Sequence, residues 1–149
     1  MTRTARAALR EDVDVVIVGG GVIGSAIASF LASEPAFNGR IFVVERDPTY
    51  RSASSALSAS SSRQQFSTPE NIRMSRFGFD FLRRVGEHLR VGDEVPDVGL
   101  VERGYLYLVP PSHEATLREN HAVQRAEVAE VVLLEPPELT ARFPWLSVD

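Results

Sequence analysis

Residues 13–28, VDVVIVGGGVIGSAIA, decide the fold of this chain. The β-branched run at 13–18 ends at Gly19 and is typical of a buried parallel strand. A helical pattern with a period near 3.6 residues follows, and its apolar face is formed by Val22, Ile23, Ala26, Ile27, Phe30 and Leu31. RIFVVE at 40–45 has the composition of a second strand. The sequence therefore predicts a parallel, right-handed βαβ unit.

Three glycines between the first strand and the helix form the pattern G-x-G-x-x-G. Gly19 permits a tight turn out of the strand. Gly21 has no Cβ, so a pyrophosphate can approach the backbone, and Gly24 lets the helix pack closely on the strands. Together with the strand before it and the helix after it, the pattern predicts a dinucleotide-binding site.

The helix start and the end of the second strand supply the polar partners of such a ligand. Free N–H groups near Val22 and Ile23 favour phosphates. Glu45 lies 21 positions beyond Gly24, where a carboxylate accepts hydrogen bonds from a ribose diol. A carboxylate there would repel a 2′-phosphate, which disfavours NADP. The glycine pattern alone does not separate NAD from FAD.

A hydroxyl-rich segment follows the second strand. Seven of the eleven residues at 52–62 are Ser, and the segment closes on Arg63-Gln64-Gln65-Phe66. Hydroxyls and exposed amides suit a long, polyoxygenated ligand, and a fixed Arg63 can stabilise negative charge on a reduced flavin or a substrate carboxylate. A solvated loop with an ordinary surface arginine fits the pattern equally well.

The rest of the chain alternates helical and extended patterns. We expect a helix from Thr68 to about Arg90, a strand at 100–109, a helix from Ser112 to about Ala129, a strand at 131–134 and a short helix from Pro136 to about Phe143. Three domain segments are predicted: a tail at 1–12, the N-terminal part of a cofactor-binding domain at 13–95, and the start of a substrate-binding domain at 96–149.

Composition excludes several classes of function. The 149 residues carry a net charge of −4 and contain no Cys, which excludes disulfides and thiolate metal sites. No stretch concentrates positive charge, so nucleic acid is not an expected partner, and no apolar run is long enough to span a membrane. The histidines at 88, 113 and 121 have no paired spacing, so we expect them to face solvent and predict no metal site. All 16 basic residues are Arg, which suggests a GC-rich bacterial genome, and the absence of Cys fits a reducing compartment, so we expect a cytoplasmic protein.

The sequence also resembles a known family over a stretch much longer than the G-x-G-x-x-G pattern. The segments DVVIVGGGVIGSAIA, VVERDPTY, SSALSASSSRQQFSTPENIRMS, GYLYLV and LTARFPWL resemble the FAD-dependent D-amino-acid-oxidase-like oxidoreductases. The most similar branch contains sarcosine oxidase and dehydrogenase, the L-proline dehydrogenase β-subunit and the FAD-dependent oxidoreductase domain-containing proteins. The resemblance covers residues 13–149. It implies an α/β fold, in which a Rossmann-like FAD-binding βαβ unit precedes the start of an α+β substrate domain.

The resemblance also implies roles for individual residues. The FAD pyrophosphate would be held by Gly19, Gly21, Val22, Ile23, Gly24, Ser54 and Ser55. Glu45 would bind the adenosine ribose and Arg46 would lie beside the adenine. The stretch that contains Ser60, Ser61, Arg63 and Gln64 would run alongside the isoalloxazine ring. Because the chain has no Cys and no His in this loop, we expect FAD to be bound non-covalently. Arg63 is the one catalytic candidate.

The implied activity is the oxidation of the C–N bond of an amino acid or N-methyl amino acid by hydride transfer to FAD. A non-catalytic flavoprotein or assembly factor is the first alternative, and an NAD-dependent dehydrogenase is the second. Members of the family are typically more than twice as long as this chain. The expected partners are therefore a small amine or amino-acid substrate and the remainder of the flavoenzyme, either in cis or as a complementing chain.

Overall fold

The computed structural model describes residues 12–147, which form two compact units that divide between Ser61 and Ser62. The tail predicted at 1–12 lies outside the described residues except for Asp12. The functional boundary predicted between residues 95 and 96 stays a prediction, because compact units reflect packing and not the binding of cofactor or substrate.

The first unit consists of β1 (Val15–Val18), α1 (Val22–Ala32) and β2 (Ile41–Val44). The two strands pair in parallel, with Val15 opposite Ile41. Parallel neighbours need a crossover connection, and α1 supplies it. The predicted βαβ unit is therefore confirmed, with its glycine turn between β1 and α1 and its hydroxyl-rich segment after β2.

Much of the apolar surface of this unit is exposed. Ile17 on β1 is 8% exposed, whereas Val16 and Val18 beside it are 54% and 85% exposed. On α1, Ile23 is 74% and Phe30 is 52% exposed. Two strands and one helix thus bury one face of the sheet and leave the other face open.

The second unit is helical. It contains α2 (Pro69–Arg83), α3 (Val85–His88), a 3₁₀ turn (Pro111–His113), α4 (Glu114–Ala126) and α5 (Pro136–Arg142). The starts of α2 and α5 carry the expected signals, because each begins with Pro and has an acidic residue in its first turn.

Contacts between α2 and the end of α4 hold the second unit together. Ile72 of α2 is completely buried and Ala129 is 1% exposed. Arg73 donates two hydrogen bonds of 2.7 Å to the Glu127 carboxylate, and Arg76 Nη1 donates one of 2.7 Å to the Glu127 carbonyl. A small apolar core with polar contacts at its edge therefore fixes these two helices side by side.

Three sequence expectations differ from the structure. Residues 100–109 and 131–134 form no strand, since neither segment has a pairing partner among the described residues, and a strand needs a neighbouring backbone. The helix expected to reach about Arg90 ends at Arg83, where Arg84 leaves helical geometry with φ −113° and ψ 22°, and one further turn follows as α3.

Candidate functional site

A cleft of about 560 Å³ opens at the carboxyl ends of β1 and β2. In an α/β sheet this is the edge at which ligands bind. Nine of the residues that the sequence predicts to bind a cofactor line this cleft. The cleft lining includes Gly19, Gly21, Val22, Ile23, Gly24, Glu45, Arg46, Ser54 and Ser55.

The three fingerprint glycines differ in what requires them. Gly19 has φ +100°, a backbone conformation that favours glycine. A Cβ on Gly24 would lie 1.8 Å from the Gly19 carbonyl oxygen, so close packing of α1 on β1 demands glycine there. A Cβ on Gly21 would meet nothing within 4 Å and would point into open space. Backbone conformation favours glycine at position 19 and packing requires it at position 24, whereas no protein atom requires it at position 21, where open space suits a ligand.

The N-terminus of α1 offers hydrogen-bond donors to the cleft. Its N-cap is Gly21, which has no side chain to satisfy the first helical amides. The first N–H groups of any helix lack partners within the helix. Val22 and Ile23 are also 63% and 74% exposed. These donors and the positive end of the helix dipole suit a pyrophosphate.

Glu45 is held in place by two backbone amides. Its Oε2 accepts a hydrogen bond of 2.7 Å from the Gly20 amide, and its Oε1 accepts one of 2.9 Å from the Asp47 amide. The amides of Asp47 and Gly20 hold the pKa of Glu45 below its ordinary value. A carboxylate has about four acceptor positions, so each oxygen keeps capacity for a ribose hydroxyl. The fixed, ionised carboxylate fits the ribose role.

The segment after β2 adds residues that the sequence reasoning missed. Asp47, Tyr50 and Ser52 also line the cleft. Asp47 Oδ1 accepts hydrogen bonds from the Thr49 hydroxyl (2.6 Å) and the Thr49 amide (3.0 Å), which lower the pKa of Asp47. The Asp-Pro-Thr sequence after the strand is a turn signal that points to this wall of the cleft.

Ser60 and Ser61 are exposed and do not line the cleft. Ser60 has φ +48°, an unusual conformation for a residue other than glycine. The first unit therefore brings together the predicted residues up to Ser55 and does not bring these two serines to them.

Arg63 and Gln64 belong to the second unit. The Arg63 carbonyl accepts a hydrogen bond from the Ser75 hydroxyl of α2. At the other end of the Arg63–Phe66 segment, the Phe66 carbonyl accepts one of 3.0 Å from the side chain of Gln124 on α4. The Oε1 atoms of Gln64 and Gln65 are buried and have no hydrogen-bond partner among the described residues. Hydrogen bonds from α2 and α4 thus hold the segment at both ends. The side-chain oxygens of Gln64 and Gln65 remain available as acceptors.

The expectation that the three histidines face solvent is partly wrong. His88 and His113 are exposed as expected, but His121 is partly buried and its Nε2 atom lacks a partner among residues 12–147. Across the described range, no group of His, Cys, Asp or Glu side chains is arranged to hold a metal ion.

Comparison with known proteins assigns the family. The family model described as FAD dependent oxidoreductase (DAO) matches residues 14–149. The chain belongs to this family. FAD is therefore its cofactor, and the NAD-dependent alternative is set aside. The cleft fits this cofactor, because it combines the open space at Gly21 with free helix amides and an ionised Glu45.

Curated relatives carry the name FAD-dependent oxidoreductase domain-containing protein 1. The protein from Xenopus laevis is 46% identical over 142 residues, which are 93% of this chain and 28% of that protein. The protein from Bos taurus is 43% identical and is covered to 29%. The homolog from Drosophila melanogaster is 41% identical over 134 residues and is covered to 25%. The chain thus spans less than a third of the relatives it matches. No solved structure matches it.

The comparisons bear on the expected source and location. The relatives named above are animal proteins, so they do not support the bacterial origin that the arginine usage suggested. Among the described residues, no helix has the length and apolar character needed to cross a membrane. The cytoplasmic location stays a prediction.

Proposed function

We propose that the parent protein of this chain oxidises the C–N bond of an amino acid or N-methyl amino acid. The substrate carbon gives up a hydride, for which bound FAD is the acceptor, and the resulting imine reacts with water. The observation that carries the proposal is the cleft at the ends of β1 and β2, where an open Gly21 and a fixed Glu45 suit FAD. Membership of the FAD-dependent family supports the oxidation.

The cofactor roles follow from the resemblance and from the cleft. Gly19, Gly21, Val22, Ile23, Gly24, Ser54 and Ser55 hold the pyrophosphate in this proposal. Glu45 orients the ribose and Arg46 lies beside the adenine. Ser60, Ser61, Arg63 and Gln64 serve the isoalloxazine ring. Within residues 1–149 the proposed contacts with FAD are non-covalent, since this stretch contains no Cys and its histidines lie outside these segments.

Arg63 is the residue proposed to act on the reacting groups. It bears a permanent positive charge and is partly buried. In that position a guanidinium stabilises negative charge, whether on the reduced flavin or on the carboxylate of an amino-acid substrate. For this role, the guanidinium N–H groups must not be bound by a carboxylate of the protein itself. Among residues 12–147, no carboxylate forms an ion pair with Arg63.

The rest of the flavoenzyme completes the sheet and the substrate site in this proposal. The open face of the two-stranded sheet and the exposed face of α1 are apolar surfaces that a folded domain normally covers. Further strands and helices, in cis or from a complementing chain, are the expected cover. This partner stays a proposal, as do the substrate class and the electron acceptor.

Anaerobic mixing of the intact parent protein with a panel of amines tests the activity. The panel contains N-methyl amino acids, D-amino acids and L-amino acids, and the readout is loss of the oxidised flavin absorption. We expect one class to bleach the flavin, and we expect Arg63→Met to slow bleaching while Arg83→Met leaves it unchanged. Retention of FAD with no bleaching by any amine would instead favour the non-catalytic flavoprotein or assembly factor.

A further inference from the structure

Three aromatic rings surround the guanidinium of Arg63. Its Cζ lies 5.3 Å from the ring centroid of Phe66, 5.7 Å from that of Tyr105 and 5.9 Å from that of Tyr107. Each distance is within the roughly 6 Å over which a cation is attracted to a ring face. We call these three rings the aromatic frame.

Arg63 keeps its hydrogen-bond donors free inside the aromatic frame. Among residues 12–147 its guanidinium has no ion pair and no hydrogen bond. Arg83 shows the contrast, because it also lies over a ring, 4.4 Å from the Phe79 centroid. Its Nε and Nη2 atoms, however, donate hydrogen bonds of 2.7 and 2.6 Å to Glu102. An aromatic contact alone therefore does not explain why Arg63 has no carboxylate partner.

The extended segment that carries the two tyrosines is tied to the arginine segment. Tyr105 and Tyr107 alternate along the backbone, so both side chains project from the same side of it, and both rings reach Arg63. The Gln65 side chain donates a hydrogen bond of 2.7 Å to the Tyr105 carbonyl. This bond fixes the separation between the two segments at the position where the rings meet the guanidinium.

We propose that Tyr105 and Tyr107 are positioning residues that hold Arg63 so that its N–H donors receive the carboxylate of the substrate. Cation–π attraction holds the guanidinium without using its N–H groups, whereas an acidic partner would use them. A carboxylate can then take two parallel hydrogen bonds from the planar donor fork. The inference rests on the proposed function only in taking an amino-acid carboxylate as the ligand.

Acetate, the simplest carboxylate, is the probe for the test. Its dissociation constant is measured on the intact, FAD-loaded parent protein by NMR titration of ¹³C-carboxyl-labelled acetate. The variants are Arg63→Met, the pair Tyr105→Leu with Tyr107→Leu, and the conservative pair Tyr105→Phe with Tyr107→Phe. Arg83→Met is the matched control, since that arginine already has a carboxylate partner. FAD content is measured on every variant as a separate readout.

We expect Arg63→Met to abolish acetate binding and the leucine pair to weaken it by roughly tenfold. The phenylalanine pair should restore affinity to within about threefold of wild type, because the ring and not the hydroxyl carries the attraction. Arg83→Met should leave acetate binding unchanged, and the tyrosine variants should keep their FAD content, because neither tyrosine is assigned to FAD. If the leucine variant misfolds, pentafluorophenylalanine at both positions keeps the ring shape, reverses its electrostatics and should weaken acetate binding.

Distinct outcomes separate this inference from the proposed function. Wild-type acetate affinity in the leucine pair, together with loss in Arg63→Met, would overturn the role of the tyrosines and leave the role of Arg63 intact. Unchanged affinity in Arg63→Met, or no acetate binding to wild type, would overturn the carboxylate site itself. Failure of every amine to bleach the flavin, in a protein that binds acetate through Arg63, would instead contradict the proposed function and leave the carboxylate site intact.

Discussion

Glu45 is the residue proposed to bind the ribose of FAD. Its carboxylate is held by the Gly20 and Asp47 amides and faces the cleft with acceptor capacity to spare. Replacing it with arginine removes the acceptor and places a long cation where a ribose diol should bind. In the intact parent protein, we expect Glu45→Arg to raise the dissociation constant for FAD by at least about tenfold.

Flavin fluorescence titration of the apoprotein measures that constant. Glu34→Arg is the control, because it makes the same change of charge at an exposed position of the first unit outside the cleft. An affinity in Glu45→Arg equal to that of wild type would contradict the assignment of Glu45 to the ribose.

The lowered pKa of Glu45 predicts a pH dependence of stability. The Asp47 and Gly20 amides favour the ionised form, so the folded-state pKa lies below the ordinary value of 4.5. The stabilisation is therefore complete above that ordinary value and is lost as the pH falls through the lower folded-state pKa. We expect the difference in Tm between wild type and Glu45→Gln to be constant at neutral pH and to shrink in acid. A difference that grows as the pH falls would show the opposite sign of shift.

Ile72 is the buried residue of α2. It is completely buried, while Met74 two positions later is 64% exposed. Ile72→Ala should lower the free energy of unfolding by about 3 kcal/mol, since it deletes buried methyl groups and leaves a cavity. Met74→Ala on the same helix should change it by less than about 0.5 kcal/mol. Urea unfolding of the intact parent protein checks both values, and equal losses in the two variants would place the core elsewhere.

The elements that could be predicted from the sequence are those with local causes. β1, α1 and β2 follow from a β-branched run, a glycine turn and a helical period, and the Pro starts of α2 and α5 are also local signals. Residues 100–109 have the composition of a strand, but strand formation depends on a neighbouring backbone that the alternating pattern cannot supply. Their tyrosines contact Arg63 from an unpaired, extended segment.

Some residues of the candidate site could likewise be located from the sequence, and others could not. Gly21 and Glu45 could be located by spacing, because the fingerprint fixes both on one βαβ unit. Tyr50 could not, since the Asp-Pro-Thr sequence before it predicts a turn but not the φ of +55° that Tyr50 adopts at the cleft. The aromatic frame could not be predicted either, because its members come from segments about 40 positions apart that meet only through tertiary contacts.

At the scale of the whole molecule, the exposed apolar face of the sheet predicts a covering layer. Val16 is 54% exposed although it lies in the middle of β1. If the rest of the flavoenzyme covers this face, Val16→Asp buries an unpaired charge and should destabilise the intact parent protein by roughly 2 kcal/mol or more. The nearly isosteric Val16→Thr should cost less. Calorimetry measures the free energy of unfolding of both variants. A value for Val16→Asp within about 0.5 kcal/mol of wild type would mean that the face stays open to solvent.

The central claim is that FAD lies against Gly21, and the FAD content of the purified, intact parent protein tests it most directly. Gly21 has an extended backbone with φ −62° and open space around its Cβ position, as does the Cβ position of Gly78 on α2. A valine therefore fits the protein at either position. Only the valine at position 21 would occupy the space proposed for the pyrophosphate. We predict that wild type and Gly78→Val retain FAD and that Gly21→Val loses it while keeping its fold. Equal FAD content in Gly21→Val and wild type would contradict the account.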